Sequence, residues 1–511
     1  MKTKEKKKSK WKMIAGIMLV IQLLLSMATV GVVLWLNIVP TLYVILLGLI
    51  LLLLLIIEYC LFYFGKKKKG KKKTGCYVRR TLGVILFLAC AIVCVGGSYM
   101  LVKAGNTLDN IAGNVKTTDT VSAYVMTDDP AQTLMDAKDY VFAITEKYDY
   151  EHTQKAIENI NETVGTQIRT QVYDNILDMV QALYEGSADA MLMNVAYVDV
   201  VEAQDGYETF SSRTRTLYDH EEENVVTEDS QTAEKSITTD PFVVYISGSD
   251  TRNLKLTTSR SDVNILAVVN PSTKQVLLIN TPRDYYVDTA ASAGAKDKLT
   301  HCGMYGIDCS MATLGNLYDE HVDYYVQINF NGFKTLVDAV GGITVESEKA
   351  FRTSEGGFYI NRGTNQLNGT VALSYVRERK SFADGDNSRG RHQMQAIEAL
   401  IKKFSSGTTV LGNYSAIMDS MSGMFMTSMS SSDISALVKM QLSDLAAWNV
   451  KSYAVTGTGG SSTTYSMPTK RSYVMYPDEV QVKYAEQLVN KVVEGQILTD
   501  ADLEIPDNIV Q

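Results

Sequence analysis

Three apolar runs, 13–36, 41–64 and 81–102, decide most of what this chain can become. The first and third carry no charge and the second carries only Glu58. A helix needs roughly 20 residues to cross a hydrocarbon core. Each run meets that length, and a helix buried in a soluble core rarely runs so far without a polar interruption. The sequence therefore predicts three membrane spans. The first run is too long for the apolar stretch of a cleaved leader and a second span follows at once, so it reads as a retained anchor.

Charge around the spans predicts an orientation. Segment 1–12 (MKTKEKKKSKWK) and loop 65–80 (GKKKKGKKKTGCYVRR) are basic, whereas 37–40 is uncharged. The positive-inside rule puts both basic segments in the cytoplasm and everything beyond the third span outside. The net charge of -8 hides this split, since residues 1–103 hold 17 Lys+Arg and two acidic residues, and the remainder holds 32 and 55. Basic runs beside spans meet anionic lipid headgroups. With an acidic body they do not describe a nucleic-acid binder. Six Cys are too few for a cysteine-stapled fold. Cys60, Cys90 and Cys94 fall in spans and Cys76 in the inner loop. Cys302 and Cys309 alone fall outside, where a closely spaced pair predicts a structural disulfide rather than a metal site.

After a linker at 103–118, a first outer module covers 119–240. Its patterning predicts strands at 121–126 and 188–194 and helices at 131–144, 152–160 and 170–183. No catalytic motif is visible in it. Residues 221–239 are polar, acidic and aperiodic and read as a boundary. A larger module covers 241–496, and 497–511 reads as a frayed tail. Strand and helix signals alternate along the larger module, with 373–377 expected to be extended. The expected class is α/β, a mixed sheet flanked by helices, preceded by the spans and a smaller α/β accessory domain.

Charged residues gather where the strands of that module should end. They are Arg252, Arg260, Arg283, Arg377, Arg379, Arg389 and Arg391, with Asp250, Asp262, Asp284, Asp384 and Asp386. Any one of them alone is most simply an exposed surface residue. Together they point to a polyanion, because the planar fork of arginine suits phosphate oxygens and ligands bind beyond the carboxyl ends of strands. Hard carboxylate oxygens without a Cys or His cluster suit Mg²⁺ or Mn²⁺.

Residues 241–403 resemble the catalytic domain of the LytR-CpsA-Psr family of Gram-positive envelope enzymes. The resemblance rests on Gly248-Ser249-Asp250-Thr251-Arg252, on SRSDVNILAVVNPSTKQVLLINTPRDYYV at 259–287, and on Lys298-Leu299-Thr300-His301. It continues through YYVQINFNGFKTLVDAVGGITV at 324–345, Leu367-Asn368-Gly369, and ALSYVRERKSFADGDNSRGRHQ at 372–393. The resemblance implies that Arg283, Arg377, Arg379 and Arg389 hold the pyrophosphate of a polyprenyl-linked glycan, with Arg252, Arg260, Arg391 and Gln393 around it. It implies Asp250, Asp262 and Asp386 at a Mg²⁺ site and an apolar tunnel for the polyprenyl chain. Many members have Arg where this chain has His392, which leaves Arg391 and His392 as alternatives for a phosphate contact. Three spans and an extra outer module resemble the capsule-type subgroup.

The implied activity is Mg²⁺-dependent transfer of an undecaprenyl-pyrophosphate-linked glycopolymer to peptidoglycan. The polymer would be capsular polysaccharide, exopolysaccharide or teichoic acid. Arg283, Arg377 and Arg379 would stabilise phosphate charge, and Asp262, with Asp284 or Asp386 as alternatives, would orient or deprotonate the acceptor. Implied partners are the lipid-linked donor, peptidoglycan, membrane lipids and the polysaccharide-synthesis machinery, and no nucleic acid. Two other readings are a non-catalytic membrane regulator or assembly factor, and a hydrolase that releases polymer from its lipid pyrophosphate.

Overall fold

The computed structural model describes residues 2–64, 74–112, 114–227, 235–249, 258–292, 294–406, 417 and 424–506. It divides into two compact units, one built on Met1–Asn110 with Ser405–Asp419 and Ser430–Ala446, the other on the rest. In the first unit three helices, α1 (Lys2–Leu36), α2 (Thr41–Tyr63) and α3 (Thr74–Ile111), follow one another. Stretches Lys10–Leu36, Thr41–Tyr63 and Tyr77–Asp109 are long and apolar enough to cross a membrane, and their most apolar portions have mean hydropathies of 2.5, 3.0 and 2.4. Helix α3 runs through much of the segment read as a linker. Large apolar side chains such as Leu24, Leu53 and Ile92 face outward, while Gln22, Ser26 and Glu58 turn inward. The Ser98 hydroxyl donates to Thr29 Oγ1 at 3.2 Å between α3 and α1. A helix at Ser431–Asp444 belongs to this unit, with Ser431 donating to Asp109 (2.6 Å) and Lys439 to Asn37 (2.8 Å).

The second unit holds two sheets. The smaller has strands β1 (Asn114–Met126), β2 (Val141–Ile144), β3 (Arg169–Val172), β4 (Ala190–Asn194) and β5 (Thr214–Thr227), in the order β3-β2-β4-β1-β5. Helices α4 (Tyr150–Val164) and α5 (Ile176–Glu185) accompany it. The helix predicted at 131–144 does not form. Asp136 instead accepts from the backbone of Gln132 and Thr133, a local bond that competes with helix, and β2 begins at Val141. The predicted helix at 170–183 starts late, because Asn175 caps it by accepting from Asp178 N. The first part of the predicted boundary at 221–239 is strand, since β5 runs to Thr227.

The larger sheet adds β6 (Phe242–Ser249), β7 (Ser261–Asn270), β8 (Gln275–Asn280), β9 (Tyr324–Asn329), β10 (Phe425–Thr427) and β11 (Asn449–Ala454). Its order is β10-β9-β6-β7-β8-β11. The β9-β6 and β8-β11 pairs are parallel and the other three antiparallel, so the sheet is mixed. Five helices matter to the site: α6 (Ile307–Tyr318), α7 (Phe330–Ala339), α8 (Gly369–Arg377), α9 (Gly385–Ser405) and α10 (Glu479–Val493). A hairpin of β12 (Gly457–Ser462) and β13 (Ser472–Pro477) precedes α10.

Alternation along the strands separates two faces. Tyr245, Leu266, Val268, Leu277 and Ile279 enter a packed core with Leu314 and Tyr318 of α6 and Leu488 and Val492 of α10. Ile246, Val263, Val326 and Ile328 point to the other side, toward α7, α8 and α9, and line a cavity. The accessory sheet is not detached from this domain. Met304 and Met467 share a buried cluster with Tyr148, Tyr197 and Phe210, and Arg260 pairs with Asp199 at 2.9 Å.

Candidate active site

The site begins with an irregularity in β7. Opposite β6, Gly248 faces Val263 but Ser249 faces Ser261, so Asp262 is an extra residue between them. A bulge of this kind turns a side chain off its regular face, and Asp262 and Val263 both line the cavity. Gly248 permits the close approach, since a Cβ there would lie 2.5 Å from Val263 Cγ2. Beyond the end of β8, Arg283 donates to Asp262 Oδ1 at 2.8 Å. The same guanidinium lies 3.7 Å from Asp284 and 3.9 Å from Asp386.

Helix α9 supplies the next layer. Asp386 in its first turn pairs with Arg389 at 2.9 Å, and Arg389 also donates to the Asp262 carbonyl at 3.3 Å. Gly390 lets this helix close onto β8, because a Cβ there would meet the Asn280 side chain at 2.2 Å. Arg379 lies 3.9 Å from Asp386 and Lys298 lies 3.2 Å from Asp284. Burial works to raise the pKa of Asp262, but Arg283, Arg389 and Arg260 outweigh it and hold the carboxyl below its ordinary value. Burial would lower that of Arg283, yet the surrounding carboxylates raise it. Arg389 is lowered, chiefly by burial.

The cavity has a volume of about 880 Å³ and two ends of different character. One holds Arg283, Arg377, Arg379, Lys380 and Arg389 with Asp262, Glu355 and Asp386, five basic residues against three acidic. The other is apolar: along α9 the lining passes from Asp386 and Arg389 to Ile397, Leu400 and Phe404, about two to four turns further on, and Phe330, Phe333 and Leu373 add to the wall. Such a space accommodates an amphipathic anion, with its charge among the guanidiniums and its chain against the apolar wall.

The structure brings Asp262, Arg283, Arg377, Arg379, Asp386, Arg389 and Gln393 to this one cavity. It corrects the expected conformation of the segment that carries two of them. Residues 373–377 are helical, not extended, because Asn368 caps α8 by accepting from Val371 N. Arg377 ends that helix and Glu378 is extended (φ -68°, ψ 127°), which delivers Arg379 to the same cavity. Arg377 pairs with Glu355 and its guanidinium lies 4.2 Å from the Phe330 ring centroid. Gln393 donates to the Val376 carbonyl at 3.4 Å.

Other predicted residues go elsewhere. Arg260 pairs with the accessory module's Asp199. Arg391 pairs with Asp384 at 2.8 Å and is not among the lining residues. His392 stacks on Tyr375 with centroids 4.1 Å apart and contacts Phe351 and Phe382. Burial lowers its pKa to about 4, so at neutral pH it is an uncharged part of an aromatic cluster. Neither Arg391 nor His392 lines the anion end. Asp250 and Arg252 lie outside the described residues. Cys302 and Cys309 are buried free thiols, and the predicted bridge is not formed. Both are within bonding range of Thr289 Oγ1, and Cys302 also of Thr313, which satisfies the sulfurs without a cross-link.

No group of three or more acidic, His or Cys side chains suited to a metal occurs among the described residues. Asp262 and Asp386 are nonetheless hard ligands in one cavity. Mg²⁺ is usually held by one or two carboxylates plus phosphate oxygens, so the donor set fits a site that the ligand completes. The sequence pattern did not reveal Lys380, Glu355 or the residues of the apolar wall, which the family resemblance implied only as a tunnel. Phe330 and Phe333, three apart on α7, were the available signal.

The chain is similar to several known proteins. The polyisoprenyl-teichoic acid–peptidoglycan teichoic acid transferase TagU of Enterococcus faecalis is 36% identical over 223 residues, 43% of this chain and 71% of that protein. The TagU of Bacillus anthracis is 31% identical over 208 residues, 40% of this chain and 67% of that protein. The crystal structure of TagV from B. subtilis is 26% identical and covers 50% of this chain and 98% of that one, with a TM-score of 0.43. The LytR_cpsA_psr family model matches residues 200–481, more than half of the chain. The chain thus belongs to the LytR-CpsA-Psr family.

Proposed function

We propose that this protein transfers a glycopolymer from undecaprenyl pyrophosphate to a peptidoglycan hydroxyl on the outer face of the membrane. The observation that carries the reading is the two-ended cavity, with four arginines at one end and an apolar wall at the other. The names of the family relatives support transfer to peptidoglycan. The basic flanks of the spans support an outward-facing catalytic domain. The three spans and the accessory module favour capsular polysaccharide or exopolysaccharide as the polymer, with teichoic acid as the alternative.

The acceptor oxygen attacks the phosphorus that carries the glycan. The bond from that phosphorus to the bridging oxygen breaks, and polyprenyl monophosphate leaves and takes up the proton lost by the hydroxyl. Arg283, Arg377, Arg379 and Arg389 stabilise charge gathering on the phosphate oxygens. Asp262, with its pKa pulled down by three guanidiniums, is a weak base. Its role is to hold Arg283 in place and to bind metal. Asp262 and Asp386 would hold Mg²⁺, or Mn²⁺, which when bound neutralises phosphate charge.

The test uses the full chain in lipid nanodiscs with a polyprenyl-pyrophosphate glycan, with and without Mg²⁺ and peptidoglycan oligomers, read by mass spectrometry. Metal-dependent glycan on peptidoglycan, lost in Arg377→Ala, is the expected result. Free glycan released equally without acceptor would identify a hydrolase. Donor binding without turnover would identify a regulator or assembly factor.

A further inference from the structure

A second cleft, of about 490 Å³, lies between α6, the β12-β13 hairpin and the start of α10. Tyr286 and Tyr476 form one wall, with ring centroids 5.8 Å apart in an edge-to-face contact. Asn316, Asp288, Lys483 and Glu486 are among the other lining residues, together with Lys296, Glu479 and the apolar Val287, Leu317 and Val482. Among the described residues, the side chains of the first four make no hydrogen bond or ion pair with one another or with the wall. The cleft is thus a set of polar groups arranged around an aromatic platform.

The platform is held in place. Tyr476 on β13 lies diagonal to Gly460 on β12, and a Cβ at Gly460 would sit 2.4 Å from Tyr476 Cε2. Only glycine lets the ring lie against that strand. The Tyr286 hydroxyl donates to the Thr463 carbonyl at 2.9 Å and accepts from Ser462 at 3.2 Å, which fixes the second ring. Tyr476 still keeps 41% of its surface exposed. A rigid ring with an open face is costly to leave in water unless something covers it.

Two strands of chain connect this cleft to the arginine site. Arg283 lines the first cavity and Tyr286 the second, and three residues span at most about 10 Å. Met475 N donates to the Asp284 carbonyl at 2.7 Å, and Tyr473, at the near end of β13, feels the charges of Asp284 and Asp386. The segment 283–286 thus carries one group of each site, and a molecule seated on Tyr476 lies beside the chain that presents Arg283.

Sugars suit such a surface. Their C–H faces carry slight positive charge and pack on the negative face of an aromatic ring, while hydroxyl and amide groups bond to carboxylates and amides. Lys483 adds a partner for a carboxylate. We infer that the Tyr286–Tyr476 cleft binds the acceptor, an N-acetylated amino-sugar strand bearing acidic stem peptides. The assignment rests on the transfer reading above, since that reading supplies the acceptor class.

The experiment titrates a soluble, uncross-linked peptidoglycan oligomer against the full chain in nanodiscs by calorimetry, and measures acceptor KM in the transfer assay. Tyr476→Ala should weaken oligomer binding about tenfold, Tyr476→Phe should retain it, and Lys483→Glu should weaken it several-fold. Arg377→Ala should bind the oligomer like the parent. Parent affinity in both Tyr476→Ala and Lys483→Glu would overturn the cleft assignment, as would a sugar-free stem peptide that competes as well as the oligomer. If transfer proceeds at the parent acceptor KM in Tyr476→Ala, the cleft falls and the transfer reading stands. If the oligomer binds through Tyr476 but no donor is ever transferred, the cleft stands and the transfer reading falls.

Discussion

The two faces of the large sheet use the same strands to opposite ends. On one, Tyr245, Leu266, Leu277 and Ile279 are fully buried against α6 and α10. On the other, Val326 and Ile328 remain partly open to a cavity ringed by charge. Close packing gains dispersion contacts and removes apolar surface from water. The cavity face gives up part of that gain, and its walls are held apart by ion pairs such as Arg283–Asp262 and Arg389–Asp386. One face therefore stabilises the domain and the other is shaped for a ligand. Substitutions on the two faces should separate stability from activity.

The largest effect belongs to the buried ion pair. Arg283→Ala should lower transfer by about 10²–10³-fold, as loss of a transition-state donor does. It should also cost roughly 3–5 kcal/mol, because the buried Asp262 carboxylate loses its direct ion-pair partner. Arg379 lies at the same end of the cavity, but its side chain is 45% exposed. Arg379→Ala should lose comparable activity yet change stability by no more than about 0.5 kcal/mol. Chemical denaturation beside the transfer assay checks both. Equal destabilisation by the two would mean that these arginines are structural and would break the contrast.

A second pair tests the apolar residues of the same two faces. Leu277→Ala should cost about 2–5 kcal/mol, the transfer term plus a new void. Ile328→Ala should cost only about 1 kcal/mol, since its side chain already borders open space. Its cost should appear instead as a higher KM for a long-chain donor, with a short-chain donor unaffected. A matched loss of stability in both variants would show that the cavity is closed in solution.

The sequence disclosed the charged end of this site better than its apolar end. Charged residues near strand ends are conspicuous, so Asp262, Arg283, Arg377, Arg379, Asp386 and Arg389 were all visible. The bulge that aims Asp262 was not, because a one-residue register shift leaves no mark in the apolar alternation of 262–270. The apolar wall was equally hidden, since Leu400 and Phe404 on α9 look like any core-facing helix residues until the facing layer is known. Local bonds defeated the pattern elsewhere. Asn368 turned an expected strand into α8, and Asp136 turned an expected helix into a turn. Arg260 and Arg391 carried the right chemistry in the right stretch, but their partners Asp199 and Asp384 lay too far off, or too near, for spacing to reveal.

Two histidines carry the contrast into pH. In the catalytic domain, burial among Tyr375, Phe351 and Phe382 lowers the His392 pKa to about 4 from an ordinary 6.5. The unfolded chain then binds a proton at this residue that the folded one refuses, so stability falls as pH drops from 6.5 toward 4. In the accessory module, a hydrogen bond to Asp149 raises the His152 pKa to about 9; burial opposes the rise, and the charges of Asp149, Asp119 and Glu222 add to it. Here the sign reverses. The stabilisation is complete below pH 6.5 and is lost as pH rises through about 9. Thermal unfolding from pH 4 to 10 should therefore show His392→Phe flattening the acid limb alone and His152→Gln flattening the alkaline limb alone. Because the two modules share one buried cluster, both limbs should appear in a single cooperative transition. Two transitions, each moved by one substitution, would show that the accessory module unfolds on its own.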